Sequence, residues 1–427
     1  TEAASQKRWS LAECIDYAKT NNVEIIKQQL ENQIYSEDLR ISKGQLLPNL
    51  NFSGAQSFSL GSSFNVSTGV GQLESSFNSF NLSSSVNLYN GLRINNNIKK
   101  NRLVVDRGLA ENRIIEMDLS LKIASKYLQV LFGKEIVAVA KEQEDISSNE
   151  VEKLRKLYLA NLKSSNEVLE MESTLALDYK EKIIALNTLK KSYVELQEIL
   201  GLNFDATFEI ETMDEVMGDL TEFSNAQDIF NKAKETNPRI QAIGINVKIA
   251  QKDVQIFNSL LLPKVDLFYS YSTSYYHILG RDDVVFNQET QLVENNGFFK
   301  QINNNKTHFV GISATIPIFN RFSNVSDIKK GKYQVKIEQS ELVEQEKVLK
   351  NLIEVTYNDF ITAKEVFRSS QIAEKYQSEA FRIMQNKYNQ RLSNVYEFLE
   401  SKSKYIYTKS ELIKSKYDYL FKHKMLE

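Results

Sequence analysis

Hydrophobic residues return at two different periods along this chain, and the two periods divide it into alternating helical and strand-like stretches. Across 93–200 and 323–427 the apolar residues fall at helical spacing in a background rich in Lys, Glu, Leu, Ala, Gln and Ser. Ile328, Val335, Leu342 and Leu349 lie seven apart; Ile353, Phe360 and Phe367 continue a seven-residue seam, and Ile123, Val130 and Val137 form another. Narrow seams flanked by charge predict helices packed lengthwise as coiled coils, not helices gathered round one globular core. The serine pairs Ser147-Ser148 and Ser369-Ser370 predict a turn in each stretch, and so antiparallel pairs of roughly 50-residue helices, each about 75 Å long at ~1.5 Å rise. Taken alone, these segments describe a free-standing coiled-coil rod.

Residues 49–92 have a different character, because their only charge is Glu74 and their period is two. Leu50, Phe52, Phe58 and Leu60 alternate with Asn51, Ser53, Ser57 and Ser59; Phe80, Leu82, Val86 and Leu88 alternate with Asn81, Ser83, Ser85 and Asn87. The theme returns in Val265, Leu267, Tyr269, Tyr271 and Tyr275, then in Val310, Ile312, Ala314, Ile316 and Ile318, with a polar, charged stretch over 281–306 between them. Each pair of runs predicts a hairpin whose strands, about 10 to 14 residues long, can cross a bilayer core when tilted. An ordinary half-buried sheet also alternates. The uncharged Ser/Asn/Thr/Gly face and the Tyr and Phe clustered near the loop ends shift the reading towards lipid, where such residues form an aromatic girdle. Four strands in lipid leave two edges of unpaired backbone, so closure demands several chains, and three chains give twelve strands.

The chain also repeats itself. Ala18-Lys19-Thr20-Asn21-Asn22 reads against Ala233-Lys234-Glu235-Thr236-Asn237, and Leu46-Leu47-Pro48 against Leu261-Leu262-Pro263, both at an offset of 215. Leu88-Tyr89-Asn90 reads against Ile318-Phe319-Asn320 at an offset of 230, which persists through Tyr158 and Tyr388, Leu162 and Leu392, and Glu167 and Glu397. Two constant offsets mean a tandem duplication whose second copy holds 15 extra residues, which fall in the 277–306 loop. The expected organisation is a first repeat over 1–215, with a hairpin at about 49–92 and a helix pair at about 93–200. A second repeat covers 216–427, with a hairpin at about 264–320 and a helix pair at about 323–427. All four prolines, Pro48, Pro238, Pro263 and Pro317, stand outside the long helices.

Composition removes several function classes. The 53 basic and 55 acidic residues nearly cancel to −2, which leaves no polyanion-binding surface at the level of the whole chain. One cysteine, Cys14, and three scattered histidines allow neither a disulfide framework nor a Cys/His zinc site, and no cofactor motif or nucleophile–base pair rises above background. There is no apolar run of 18 residues. The chain opens at Thr1 without a basic or apolar leader, which fits a cytoplasmic protein or a secreted one already processed. Trp9 and Cys14, assigned to the first helix, read as packing residues.

At this point the residues resemble a known family, the TolC-like outer membrane efflux channels (outer membrane factors), along almost the whole chain. The resemblance rests on A-x-x-x-N at Ala18 to Asn22 and Ala233 to Asn237, running into the LLP that begins a strand. It rests also on the hairpin exits Leu88-Tyr89-Asn90-Gly91 and Ile318-Phe319-Asn320. Finally, each fourth helix reads as opening with Tyr-x-x-x-Leu and an acidic group: Tyr158, Leu162, Glu167 and Glu170, then Tyr388, Leu392, Glu397 and Glu400. The resemblance implies a mixed α and β membrane protein: a homotrimer with a twelve-stranded outer-membrane β-barrel, four strands per chain. That barrel continues into a long periplasmic α-helical coiled-coil barrel, with an equatorial region built from the termini and the 201–237 linker. It implies a non-enzymatic, passive conduit for small molecules or proteins in a tripartite efflux or type I secretion system, with a periplasmic adaptor (membrane fusion) protein and an inner-membrane pump or ABC transporter as partners.

Two site assignments follow from the resemblance. Glu397 and Glu400, with Tyr388, correspond to a periplasmic gate constriction, where threefold repetition gathers up to six carboxylates whose mutual repulsion raises some of their pKa values. From spacing alone the same glutamates, three apart, read as a solvated helix face. Asn161, Leu162, Arg391 and Leu392 correspond to the tips where adaptors dock; the family usually has Gly where this chain has Asn161 and Arg391. A trimeric barrel-anchored adhesin is the rival reading, but it would gather its strands in one C-terminal block, whereas here they form two separated hairpins. A periplasmic coiled-coil rod without a membrane segment is a second rival.

Overall fold

The structure, a computed structural model, describes residues 8–65, 69–72, 74–211, 223, 225–288 and 291–427. Strand β1 (Arg8–Trp9) precedes helices α1 (Leu11–Asn21) and α2 (Val23–Gly44). Strands β2 (Asn51–Ser59), β3 (Ser62–Asn65), β4 (Gly69–Gln72) and β5 (Ser75–Tyr89) lead into α3 (Arg93–Leu159) and α4 (Ser165–Leu200). After β6 (Glu209–Ile210) come α5 (Ala226–Thr236), α6 (Pro238–Ser259), β7 (Lys264–Ile278), β8 (Val284–Asn287), β9 (Leu292–Asn295), α7 (Phe298–Asn304), β10 (Thr307–Thr315), α8 (Ser323–Asn389) and α9 (Val395–Leu426). The chain divides into two compact units, one of Thr1–Glu31, Gly108–Ile243 and Glu341–Glu427, the other of Asn32–Arg107 and Gly244–Ser340.

The second unit holds a four-stranded antiparallel sheet in the order β10-β7-β5-β2. Its ladders put the apolar set on one face: Phe52 lies opposite Leu82, Leu82 opposite Tyr271, and Leu267 between Val86 and Ile312. Period-two alternation therefore survives into register, because opposed residues of neighbouring strands share a face. The outer strands β2 and β10 are each nine residues long and exposed along nearly their whole length. β7 runs past the end of β10, and side chains of the following loop take over its edge. Tyr276 N–H donates to Gln301 Oε1 and Gln301 Nε2 donates to Tyr276 O, both at 3.0 Å, while Asn305 Nδ2 donates to Ser274 O at 2.8 Å. The loop expected to hold the extra residues thus contains the β8–β9 hairpin and α7, and Gln301 of α7 with Asn305 shields backbone that would otherwise be an open edge. At the hairpin exit, Gly91 has a φ of 66° and lies so close to the LLP turn that a Cβ there would come within 2.8 Å of Leu262 Cβ and Ser259 O.

The first unit is built around α3, α4 and α9, with Ile123, Tyr127, Val130, Leu154, Met171, Leu196 and Phe398 buried together. Full burial of such side chains contributes roughly 1.5–3 kcal/mol each. β1 pairs in parallel with β6, bringing the N-terminal segment against part of the 201–237 linker. Trp9 sits on β1 and not on the first helix as expected: Ser10 is the N-cap, accepting from Glu13 N–H in a capping box, so α1 begins only at Leu11. Its indole meets Tyr17 edge-on at 5.3 Å and Phe208 at 5.6 Å. Cys14 is fully buried, and burial, reinforced by Glu13 and Glu211, pushes its thiol up to about 12, so it packs and does not react.

The serine turns are overturned. α3 and α8 each run unbroken for 67 residues and pass through Ser147-Ser148 and Ser369-Ser370 as helix. Ser147 is fully buried, seven residues from Ala140 and seven from Leu154, both buried, so it occupies a seam position. Ser370 likewise lies seven beyond the buried Ala363, beside a seam that continues through Ile353, Phe360, Phe381 and Tyr388. The helix pairs are consequently unequal, with 67 and 36 residues in the first and 67 and 32 in the second. Tyr158 and Tyr388 close the longer helix of each pair and do not open the shorter one.

Candidate functional site

Each long helix ends in the same way. Asn161 has a φ of 59°; its N–H donates to Tyr158 O and Leu162 N–H donates to Leu157 O, both at 2.9 Å. Arg391 has a φ of 63°, with its N–H donating to Tyr388 O at 3.0 Å and Leu392 N–H donating to Lys387 O at 2.8 Å. Both are Schellman motifs with a non-glycine residue in the left-handed position. That position is the one where the sequence departs from the glycine usual in the resembled family, and the turn forms without it. Leu162 and Leu392, immediately after, are exposed.

The following helices start with matched capping boxes. Ser164 Oγ accepts from Glu167 N–H at 3.4 Å, and Glu167 Oε2 accepts from Ser164 N–H at 3.2 Å. Asn394 Oδ1 accepts from Glu397 N–H at 2.9 Å, and Glu397 Oε2 accepts from Asn394 N–H at 3.4 Å. The signal for both was in the sequence, as Ser-x-x-Glu and Asn-x-x-Glu, and marks the start of each shorter helix better than the tyrosine does.

The structure brings the two turns together. Lys153 of α3 donates to Asn389 Oδ1, and the ammonium groups of Lys153 and Lys163 lie 5.7 and 5.6 Å from the ring centroid of Tyr388. Tyr388 is buried and stacks on Phe398 at 4.7 Å. Burial, with the nearby Glu150 and Glu167 carboxylates, raises its phenol to about 12. Tyr388 is thus packed inside the protomer against Phe398 of α9 and is not itself a free polar surface. Glu400 is exposed and bonded by Lys404 Nζ at 2.7 Å, which holds its carboxyl below the usual range. Lys163 does the same for Glu167 at 2.7 Å.

A second polar feature joins α9 to α3 and α4. Lys402 of α9 donates to Asp178 Oδ2 of α4 and to Ser147 Oγ of α3; Ser147 Oγ donates to Asp178 Oδ2 at 2.5 Å, and Gln143 Nε2 donates to Asp178 Oδ1 at 2.6 Å. Lys402, Asp178 and Ser147 are all buried. Further along α9, at seven-residue steps, Lys409 pairs with Glu142 and Lys416 pairs with Glu135, so one row of lysines faces α3 and α4. Among the described residues no group of three or more His, Cys, Asp or Glu could hold a metal ion, and no helix is long and apolar enough to cross a membrane.

Residues 229–426 match the family described as Outer membrane efflux protein. The chain is 21% identical over 262 residues to Outer membrane protein TolC of Vibrio cholerae, a match covering 60% of this chain and 57% of that relative's length. Its fold is similar to that of the transmembrane channel CusC, with a TM-score of 0.80 and 15% identity, covering 97% of this chain and 90% of the other. It is similar also to the outer membrane protein VceC of Vibrio cholerae (TM-score 0.74, 14% identity, 97% and 94% covered) and to the open-state MtrE outer membrane channel of Neisseria gonorrhoeae (TM-score 0.74, 15% identity, 97% and 87% covered). The sequence match lies largely in the second half, whereas the likeness of fold extends over both halves.

Proposed function

We propose that the chain is a member of the outer membrane efflux protein family, and on that footing the outer-membrane channel of a tripartite efflux or type I secretion system, a passive conduit from periplasm to exterior. The observation that carries this reading is the pair of outer strands, β2 and β10, each nine residues long, paired on its inner side and, among the described residues, unpaired along its outer edge. In hydrocarbon every unpaired backbone group costs several kcal/mol, so such a sheet is stable there only when other copies close it. Three copies close it as twelve strands.

Within that trimer, the Schellman turns hold Leu162 and Leu392 out as an apolar pair, with Asn161 and Arg391 beside them, and a periplasmic adaptor's helical hairpin packs there. Glu397 and Glu400 line the constriction. Tyr388 fixes the start of α9 through its stack on Phe398 and so acts as a positioning residue. The inner-membrane partner, a pump or an ABC transporter, supplies the energy, and the conduit does no chemistry of its own.

The test is hydrodynamic and electrical. Detergent-extracted protein should sediment as a trimer of a 49.1 kDa chain and conduct ions in a planar bilayer. A monomer that keeps its β-sheet signal in lipid, or a trimer that never conducts, overturns the reading.

A further inference from the structure

We propose that the two outer strands pair with each other between copies of this chain in one fixed register, with Val310 of one copy opposite Phe58 of the next. The inference rests on the channel reading above and goes beyond it by specifying the seam residue by residue.

The argument starts from the sheet's own ladders. β2 and β5 pair Gly54 with Phe80 and Ser57 with Phe77. Advancing the β2 residue by 215 and the β5 residue by 230, the two sequence offsets, turns these pairs into Tyr269 with Val310 and Ser272 with Thr307. Both are observed partners in the β7–β10 ladder. The same shift carries Ser53 and Asn81 onto Phe268 and Gly311, again partners. The two hairpins are therefore copies in strand register as well as in sequence.

One junction remains to be copied. β5 of the first repeat pairs with β7 of the second inside the chain, and its equivalent joins β10 of the second repeat to β2 of a first repeat, which only a neighbouring copy can supply. Shifting the β5–β7 ladder by the same offsets sends Phe80–Thr273 to Val310–Phe58, Leu82–Tyr271 to Ile312–Gln56, Ser84–Tyr269 to Ala314–Gly54 and Val86–Leu267 to Ile316–Phe52.

The register is consistent with the faces of the sheet and with where the seam ends. The register keeps faces together: Val310, Ile312 and Ala314 share the apolar face of β7, and Phe52 shares that of Leu82, whereas a slip by one residue would bring the apolar side of one strand against the small polar side of the other. On the opposite face it puts Ser59 beside Phe309, Ser57 beside Gly311 and Ser53 beside Thr315, all uncharged. The register also ends where it should. β5 leaves step with β7 between Asn87 and Tyr89, and the residue in the place of Asn87 is Pro317, which has no N–H to give to a seam.

The experiment uses the full chain with Cys14→Ala and paired cysteines. Matched pairs are Val310→Cys with Phe58→Cys on one face and Ser313→Cys with Ala55→Cys on the other; because opposed residues alternate between close and wide pairs, one of the two falls at a spacing a disulfide can bridge. Slipped controls, Val310→Cys with Gln56→Cys or with Leu60→Cys, keep the face but shift the register by two, to diagonal neighbours about 7–8 Å apart. Oxidation should yield covalent dimers and trimers on a denaturing gel at least ten times faster from a matched pair than from either slipped pair. Faster linkage of a slipped pair, or none from either matched pair in an assembly that still sediments as a trimer, overturns the register alone. A monomer before oxidation overturns the channel reading with it.

Discussion

Lys402 and Asp178, 224 residues apart in the chain, form an ion pair in which both side chains are at most 5% exposed. Burial lowers the pKa of Lys402 and the Asp178 carboxylate opposes that shift. Such a pair contributes little net stability against an apolar replacement, but each member depends strongly on the other, because removing one leaves a buried charge unmatched. The row of lysines on α9 thus sets which residues of α3 and α4 it can face, and a slide of α9 by less than a heptad would strand Lys402 without a carboxylate.

Lys402→Met should therefore cost the assembled protein about 3 kcal/mol or more, and Asp178→Leu a similar amount, while the double substitution should come within ~1 kcal/mol of the parent. Chemical unfolding of all four proteins in detergent measures the coupling. Additive costs would mean that the two side chains act independently.

At the second turn, Arg391 holds a left-handed backbone that suits glycine. Arg391→Gly should stabilise that turn by about 0.5–1 kcal/mol, the relief of the left-handed strain less the added chain entropy. Slower exchange of the Arg391-position and Leu392 amides, the donors of the Schellman motif, would report it. Asn161→Gly should gain less, because Asn tolerates this conformation. Arg391→Glu should keep the turn and the trimer while weakening adaptor binding; unchanged binding would remove Arg391 from the docking surface.

The proposed constriction calls for amide substitutions and not alanine. Glu397 closes the capping box with Asn394, so an alanine there would fray α9 while removing charge. Glu397→Gln with Glu400→Gln keeps the cap and should abolish cation selectivity and block by divalent or trivalent cations from the periplasmic side, leaving the trimer intact. In the single chain Lys404 holds Glu400 low, opposite to the rise that crowded carboxylates impose, so the selectivity of wild type at falling pH reads which influence governs the assembled ring. Unchanged selectivity in the double variant returns both residues to an ordinary solvated face.

Glu167 gives the first turn a dependence on acid. Its folded pKa is lowered, first by the hydrogen bond from Lys163. The unfolded carboxyl titrates near ~4.3, so the stabilisation is complete above that pH and is lost as pH falls through the lower folded value. Amide exchange at Ser164 and Glu167 should accelerate on acidification below ~4 relative to neighbouring α4 amides. Glu167→Gln, which keeps the cap, should lose that acceleration.

Periodicity and duplication, both local or countable properties, were enough to read the strands, the long helices and the two offsets directly from the residues, and those offsets carry through to strand register without adjustment. The starts of the shorter helices were also written locally, in Ser164-x-x-Glu167 and Asn394-x-x-Glu397, but paired serines made a competing signal. Serine marks a turn when its hydroxyl competes for nearby backbone; only the packing of three helices reveals that Ser147 spends its hydroxyl on Lys402 and Asp178 and stays helical. Whether a lysine among dozens is solvated or buried depends on what other helices bring to it, and no spacing along one helix encodes that. The same holds for Tyr388, whose motif is visible in the sequence but whose place against Phe398, Lys153 and Lys163 comes from four separate segments meeting in the fold.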